Sequence, residues 1–342
     1  MVEPARVRRT AMNGPTLAAV LVAMLLAMSG TARAQTRGAE PDASAYPARS
    51  VRIIAANPPG GASDFVGRLV AQKLGEALGQ PFVFDNRPGA SGIIATMAVV
   101  KAPADGYTLL IVGSSFGVIP ALRPDLPYDS FRDLAAITMP TNAPNLLVVH
   151  PSLPVRTVGE MVALARGRRG ELNYGSPGNG SSPHLGAELL KNMTGIAMTH
   201  VPYKGAGPMM IALISGQVQL SFASMSSSIS YARNGKARGV ATTGARRALA
   251  LPDLPTMIES GFPGFEVGTW QGIFAPAGTP PAIVAKLQRE IARAVQLADA
   301  RERLMADGNE PVASTPEEFT RWLRVEIARW DKVVKAIGLR VD

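Results

Sequence analysis

The 342-residue sequence contains no cysteine, which excludes disulfides, thiol catalysis and cysteine-ligated zinc together. Histidine is almost as scarce. His150, His184 and His200 are the full set, and none forms the helical pair that would hold a metal ion; no metal and no cofactor is expected. Aromatic residues make up only 6% of the chain. They do not interleave with the tight basic groups (Arg6, Arg8 and Arg9; Arg166, Arg168 and Arg169; Arg246 and Arg247), so the net charge of +9 does not describe a base-stacking surface. No nucleic-acid partner is expected. No stretch approaches the run of about 18 apolar residues that a membrane span needs.

What is present begins with an address. Arg6, Arg8 and Arg9 precede the apolar run Leu17 to Met28, and Ala32-Arg33-Ala34 is an A-x-A site. That order is a secretory signal, so residues 1–34 are expected to be removed and the mature protein to be periplasmic. Removal takes away four arginines and one glutamate, lowering the formal charge from +9 to +6. Residues 35–49 are polar and aperiodic and read as a flexible leader.

From there, strand and helix signals alternate. Val51 to Ala56 reads as a strand, and Phe65, Val66, Leu69, Val70 and Leu74 as one helical face. Phe82 to Phe84 and Tyr107 to Val112 are further strands, with a helix over Gly92 to Val100 between them. The middle repeats the theme. A capping box at Thr157 and Glu160 opens a helix, Glu171 to Tyr174 is a strand, and Ser182-Pro183 starts another helix. Pro208 to Ser215 is helical, and Gln217 to Phe222 and Gly239 to Thr242 are strands. The pattern predicts an α/β fold with a wound parallel sheet. A second capping box, Thr315 with Glu318, opens a final helix whose stripe Phe319, Trp322, Leu323, Ile327, Trp330 and Val334 reads as core.

Three Gly/Ser-rich turns fall between a strand and a helix: Pro59 to Asp64, Gly175 to Ser182, and Pro202 to Gly207. The first N–H groups of a helix lack partners and carry partial positive charge, so an anion there gains about 0.3–2 kcal/mol. Glycine lets the backbone approach it. None of the turns is a P-loop or a dinucleotide fingerprint. Together they predict an anion-binding cleft.

These turns also carry a resemblance. Pro58-Pro59-Gly60-Gly61-Ala62-Ser63-Asp64, Asp85-Asn86-Arg87-Pro88-Gly89-Ala90, Ala104-Asp105-Gly106-Tyr107, Gly178-Asn179-Gly180-Ser181 with His184, His200-Val201-Pro202-Tyr203-Lys204-Gly205, and Trp270-Gln271-Gly272 appear in order. The chain from about Tyr46 onward resembles the Bug-type extracytoplasmic solute receptors, the substrate-binding components of tripartite tricarboxylate transporters. The resemblance implies a non-enzymatic, two-lobed periplasmic-binding-protein (Venus-flytrap) fold, with lobe 1 at 50–148 and 270–342, lobe 2 at 149–269, and crossings near Leu146 to His150 and Val267 to Gly272. It implies a small organic carboxylate as ligand, a two-subunit membrane permease as partner, and a monomeric receptor. Carried across, the first-lobe contacts are Gly60, Gly61, Ala62, Ser63, Ser114 and Ser115. Those of the second lobe are Asn179, Gly180, Ser181, Ser182 and His184, with Tyr203 and Lys204 closing the rim.

Two departures narrow the ligand. Asn57 stands where family members often carry an aromatic residue, and Ala223 where receptors for amino-acid-like ligands carry an acid. Without that acid an ammonium group lacks its partner, so a non-amino carboxylate is expected. Simpler roles stand beside the family ones. His184 can equally bond a nearby carbonyl, Lys204 can be a solvated loop residue, Asp64 and Arg68 suit an intrahelical pair, and Trp270 suits hinge packing. Two other functions remain open. One is a ligand sensor without a permease. The other is a serine esterase on Gly113-Ser114-Ser115-Phe116-Gly117 with Asp125, Asp129 or Asp133 and one of the three histidines. Against the esterase, Pro120, Pro124 and Pro127 oppose the helix that a nucleophile elbow must enter.

Overall fold

The computed structural model describes residues 44–338 together with Met1, Val2 and Pro4. The chain divides into units Met1–Asp42 and Ala43–Asp342, and the fold described is that of the second. The expected signal peptide, apart from Met1, Val2 and Pro4, and most of the expected leader lie outside the described residues.

Strand β1 (Val51–Ala55) has β2 (Phe82–Asn86) and β3 (Thr108–Gly113) as parallel neighbours, Ile53 facing Phe84 on one side and Leu109 on the other. Helix α1 (Ala62–Leu78) crosses between β1 and β2, and α2 (Ile93–Val100) between β2 and β3. The apolar face predicted for α1 is the one buried. Val66, Leu69, Val70 and Leu74 pack on Ile53, Leu109 and Ile111 beside Ile283, Leu287 and Ile291 of helix α8 (Pro281–Gln296). Each such side chain contributes about 1.5–3 kcal/mol on burial. Gly79 ends α1 in the left-handed conformation, φ 68°, donating its N–H to Gly75.

The second half is built alike. Strand β6 (Asn173–Ser176) runs parallel to β7 (Thr199–Pro202) and β8 (Leu220–Ser224). Helices α4 (Val158–Gly167), α5 (Ser182–Thr194), α6 (Ala206–Ile214) and α7 (Met225–Arg233) complete it with β9 (Arg238–Thr242). Both predicted capping boxes form, at Thr157 and Glu160 and at Thr315 and Glu318.

Two long strands join the halves. The first part of β5 (Thr141–Val149) pairs antiparallel with the start of β10 (Gly268–Pro276), Ala143 facing Thr269. The rest of β5 enters the second half against β8 and β9, and the rest of β10 enters the first against β3 and β4 (Leu134–Thr138). The result is a two-lobed α/β fold on one curled sheet with two crossing segments. The strand-to-strand crossing lies at Asn142–Pro144, earlier than Leu146 to His150. Trp270, only 1% exposed, packs edge-on against Phe319 and Trp322 of α10 (Pro316–Ile337) at that crossing.

Helix α9 (Ala298–Ala306) leads through Asp307-Gly308-Asn309 to the short β11 (Glu310–Pro311). Burial pushes the Asp307 carboxyl up to about 7, although the Asn309 amide donates to it at 2.9 Å. A folded-state value above the unfolded 3.8 means that the native form holds an extra proton in between, so stability falls as pH rises from about 4 through 7. Asp307→Asn is expected to raise the melting temperature at pH 8 and leave it unchanged at pH 3.5. Equal gains at both pH values would refute that account.

Candidate functional site

In a parallel wound sheet the turns leaving the strand C-termini gather at one edge. Here they bring five helix starts to one cavity of about 470 Å³. From the first lobe come Gly61, Ala62 and Ser63 at the start of α1, and Ser114 and Ser115 at the start of α3 (Ser115–Leu122). From the second come Asn179, Ser181 and Ser182 at α5, Lys204, Gly205 and Ala206 at α6, and Ser224 at α7. Thr269 of β10 lies between the lobes. Pro58, Pro88, Pro177 and Pro183 supply much of the apolar lining.

The electrostatics of the cavity are one-sided. Among its described lining residues Lys204 is the single charged side chain, exposed at the rim, and there is no aspartate or glutamate. Asp64 sits one turn into α1 but is turned away, held by the Gly60 N–H, by Arg68 Nε at 3.0 Å and by Asn86 Nδ2 at 3.1 Å. Burial alone would raise its pKa; Arg68, the Gly60 N–H and Asn86 outweigh it and lower it. The field in the cavity is therefore that of several helix N-termini, with no fixed negative charge opposing them.

Nine of the thirteen residues expected at the site line this cavity: Gly61, Ala62, Ser63, Ser114, Ser115, Asn179, Ser181, Ser182 and Lys204. Gly60, Gly180, His184 and Tyr203 are placed outside the lining. Gly60 gives its N–H to Asp64, and Gly180 gives its own to Nδ1 of His184 at 3.1 Å. His184 is 4% exposed and accepts this amide proton rather than bonding a carbonyl. Ser182 contributes backbone more than hydroxyl. Its Oγ donates to the Gly268 carbonyl at 2.8 Å and accepts from Asn145 Nδ2 at 2.6 Å, while Thr269 Oγ1 donates to Asn145 Oδ1 at 2.7 Å. The start of α5 is thus tied to both crossing strands through the fully buried Asn145.

Other lining residues lie outside the thirteen expected contacts. Asn57 lines the cavity, and its side-chain oxygen is buried without a hydrogen-bond partner. The turn after β2 brings in Gly89, Ser91 and Gly92. Ala90 and Ser91 there adopt φ of 45° and 53°, a left-handed strain of about 1–3 kcal/mol each in non-glycine residues. The Asn-Arg-Pro-Gly-Ala run was the available signal for that turn.

The lobes meet over the cavity. A Cβ on Gly205 would stand 3.1 Å from Pro58 Cγ, and one on Gly180 2.8 Å from Leu122 Cδ1. The elbow motif does enter a helix, α3, which carries Pro120 internally. The proline there removes one backbone bond, the one its own N–H would have made. Each imidazole is engaged elsewhere: His150 with Ser152, His184 with Gly180 and His200 with Ser176. Among the described residues no group of three His, Asp or Glu side chains could hold a metal ion.

A family model described as "Tripartite tricarboxylate transporter family receptor" matches residues 66–339. Protein BugT of Bordetella pertussis is 37% identical over 320 residues, spanning 93% of this chain and 98% of that protein. Among solved structures, R. palustris Rpa4515 with adipate superimposes with a TM-score of 0.83 at 39% identity, covering 86% of this chain and 99% of that one. MatC (Rpa3494) from Rhodopseudomonas palustris, with bound malate, gives 0.79 at 33%, covering 84% and 100%.

Proposed function

The chain belongs to the tripartite tricarboxylate transporter receptor family and is a solute-binding receptor of the Bug type, and from that premise we propose that it captures a small non-amino carboxylate between its lobes and delivers it to a two-subunit membrane permease. In this reading residues 1–34 direct a monomeric receptor to the periplasm. Lobe 1 (50–148 and 270–342) and lobe 2 (149–269) hinge where β5 crosses β10. One observation carries the ligand class. Five helix N-termini converge on a cavity whose lining, among the described residues, holds no acidic side chain. A carboxylate is stabilised by those N-termini, whereas an ammonium group would enter without a counter-charge. The solved relatives with adipate and malate support the carboxylate half of this reading.

Binding proceeds in two steps. The carboxylate docks on the N–H groups of one lobe, and closure brings the second set to it. The closed form is favoured only by contacts that need both lobes. The four cavity prolines suit the methylene chain of a dicarboxylate more than a densely hydroxylated ligand.

Calorimetric titration of purified residues 35–342 against adipate, malate, aspartate and glutamate tests this. At about a hundred times its Kd, a ligand adds about 2.7 kcal/mol to stability. Adipate or malate is expected to bind at least tenfold more tightly than either amino acid. Preference for aspartate or glutamate would overturn the non-amino assignment. Failure to cross-link to the membrane subunits in cells would favour the sensor role instead.

A further inference from the structure

Two of the three histidines, all of which lie outside the cavity lining, are placed one against the other. The rings of His184 in α5 and His200 in β7 stack with centroids 3.9 Å apart and planes 8° from parallel, and His200 stacks in turn on Tyr174 of β6 at 4.8 Å. This pile of rings lies behind the Gly178–Ser182 turn, which supplies Gly178, Asn179, Ser181 and Ser182 to the cavity. Each imidazole holds part of that turn. His184 Nδ1 accepts the Gly180 N–H at 3.1 Å. His200 Nε2 bonds Ser176 Oγ at 2.7 Å, and the same hydroxyl accepts the Gly178 N–H at 3.2 Å and donates to the Gly178 carbonyl at 3.1 Å.

We propose that His184 and His200 are positioning residues of the ligand turn, which they hold in its binding conformation only while both rings are neutral, so that acid loosens this wall of the cleft and releases the ligand. A backbone amide only donates, so Nδ1 of His184 must be unprotonated to receive it. A doubly protonated His184 presents N–H against N–H and loses the bond, whereas His200 Nε2 can still donate to Ser176 Oγ and acts through the stack. Two cationic rings at stacking distance also repel, in a site where little water screens them.

The surrounding charges do not cancel this. Glu188 of α5 faces the stack, but it already receives the Tyr174 hydroxyl at 2.5 Å and Lys191 Nζ at 2.6 Å. Lys191, also on α5, adds positive charge. Tyr174 of β6 is pushed far above its usual range by burial and by Glu188, and stays neutral. Burial pushes both imidazoles from 6.5 down to about 4, with the neighbouring ring contributing for His184. The ordered turn therefore binds fewer protons than a loosened one. The loosened state gains as pH falls from 6.5 toward 4, by up to about tenfold per pH unit for each ring, and gains nothing further below.

The exchange measurement uses ligand-free protein, so it is independent of the carboxylate reading on which the release step rests. Amide hydrogen exchange over residues 176–184, corrected for intrinsic pH dependence, is compared at pH 7 and pH 4.5 in the wild type and in His184→Asn/His200→Gln. The asparagine keeps a non-titrating acceptor at the Nδ1 position of His184, and the glutamine a non-titrating group able to donate or accept at the Nε2 position of His200. The wild-type segment is expected to exchange at least tenfold faster in acid, and the double variant to show no such acceleration. Equal acceleration in both proteins, or none in the wild type, overturns the proposal. In parallel, NMR of the wild type is expected to show the Gly180 amide titrating together with His184. A Gly180 amide that ignores the ring's protonation overturns the proposal even if the double variant fails to fold. Adipate affinity is then measured for both proteins at each pH and taken as a ratio, so that the probe's own titration cancels; the ratio is expected to favour the double variant at least fivefold at pH 4.5. Absence of adipate binding by either protein would count against the carboxylate reading and leave the exchange result to decide on the turn.

Discussion

Gly205→Val is expected to weaken ligand binding about a hundredfold or more while leaving the ligand-free protein folded. Gly205 precedes α6 with φ 110° and ψ 173°, a region that essentially only glycine occupies. A branched side chain there costs about 1–3 kcal/mol in backbone strain before any contact is considered. The contact then adds to it. The Cβ position already stands 3.1 Å from Pro58 Cγ in the opposite lobe, and the two valine methyls would extend further toward that ring. In the open form of the proposed hinge cycle the strain remains but the clash with Pro58 does not. The clash falls on the state that the ligand needs, and about 1.4 kcal/mol corresponds to each tenfold in affinity. Gly207→Ala is the control, because its Cβ would meet nothing within 4 Å and its backbone is helical. Titration with the tightest carboxylate found for the wild type, paired with small-angle scattering to follow closure, checks the outcome. Wild-type affinity in Gly205→Val would mean that the lobes do not approach this closely when ligand is bound.

That turn was legible in the sequence as a glycine-rich helix start, and so were those before α1 and α5, because the chemistry is local. Thr157 with Glu160 and Thr315 with Glu318 were legible for the same reason: a capping box spans four residues. What could not be read is non-local. The pairing of Tyr174 with His200 across β6 and β7 puts two imidazoles 16 residues apart in sequence into one stack, and nothing near either residue announces it. The crossing was blurred by its own dual membership. Strand β5 is polar and half-open where it pairs with β10, then continuously apolar from Leu146 to Val149 where it enters the second lobe, so no single period describes it. Strand β11 is two residues long and exists only because Asn142 and Thr141 offer it an edge. Asn57 stands out in the sequence only as a departure from the family; its unpartnered side-chain oxygen in the cavity is a property of the fold.

The apolar stripe of α10 shows the same limit and leads to the second large effect. Its spacing describes one core-facing stripe, but the stripe serves two cores. Phe319 and Leu323 join the cluster of Leu110, Trp270 and Phe274 in the first lobe. Trp330 and Val334, about two to four turns later, join Leu185, Phe222 and Phe265 in the second. The helix is therefore a strut bound to both sides of the hinge. Trp330 is 3% exposed, and its Nε1 donates to Glu326 Oε1 at 2.7 Å. Glu326 is itself buried and holds Arg329 at 3.0 Å. Trp330→Ala removes a buried aromatic, worth about 3–5 kcal/mol, and leaves that carboxylate one donor short, adding about 1–3 kcal/mol. The combined loss is expected near 5 kcal/mol, a fall in melting temperature of about 10 °C at this size. Because the lost packing lies where the strut meets the second lobe, the variant is also expected to show a broader or split calorimetric transition than the wild type as the two lobes unfold less cooperatively. Trp330→Phe is expected to recover most of the packing but not the hydrogen bond, which separates the two contributions. A loss below about 1 kcal/mol for Trp330→Ala, with one sharp transition retained, would show that α10 belongs energetically to the first lobe alone and that β5 and β10 by themselves hold the lobes together.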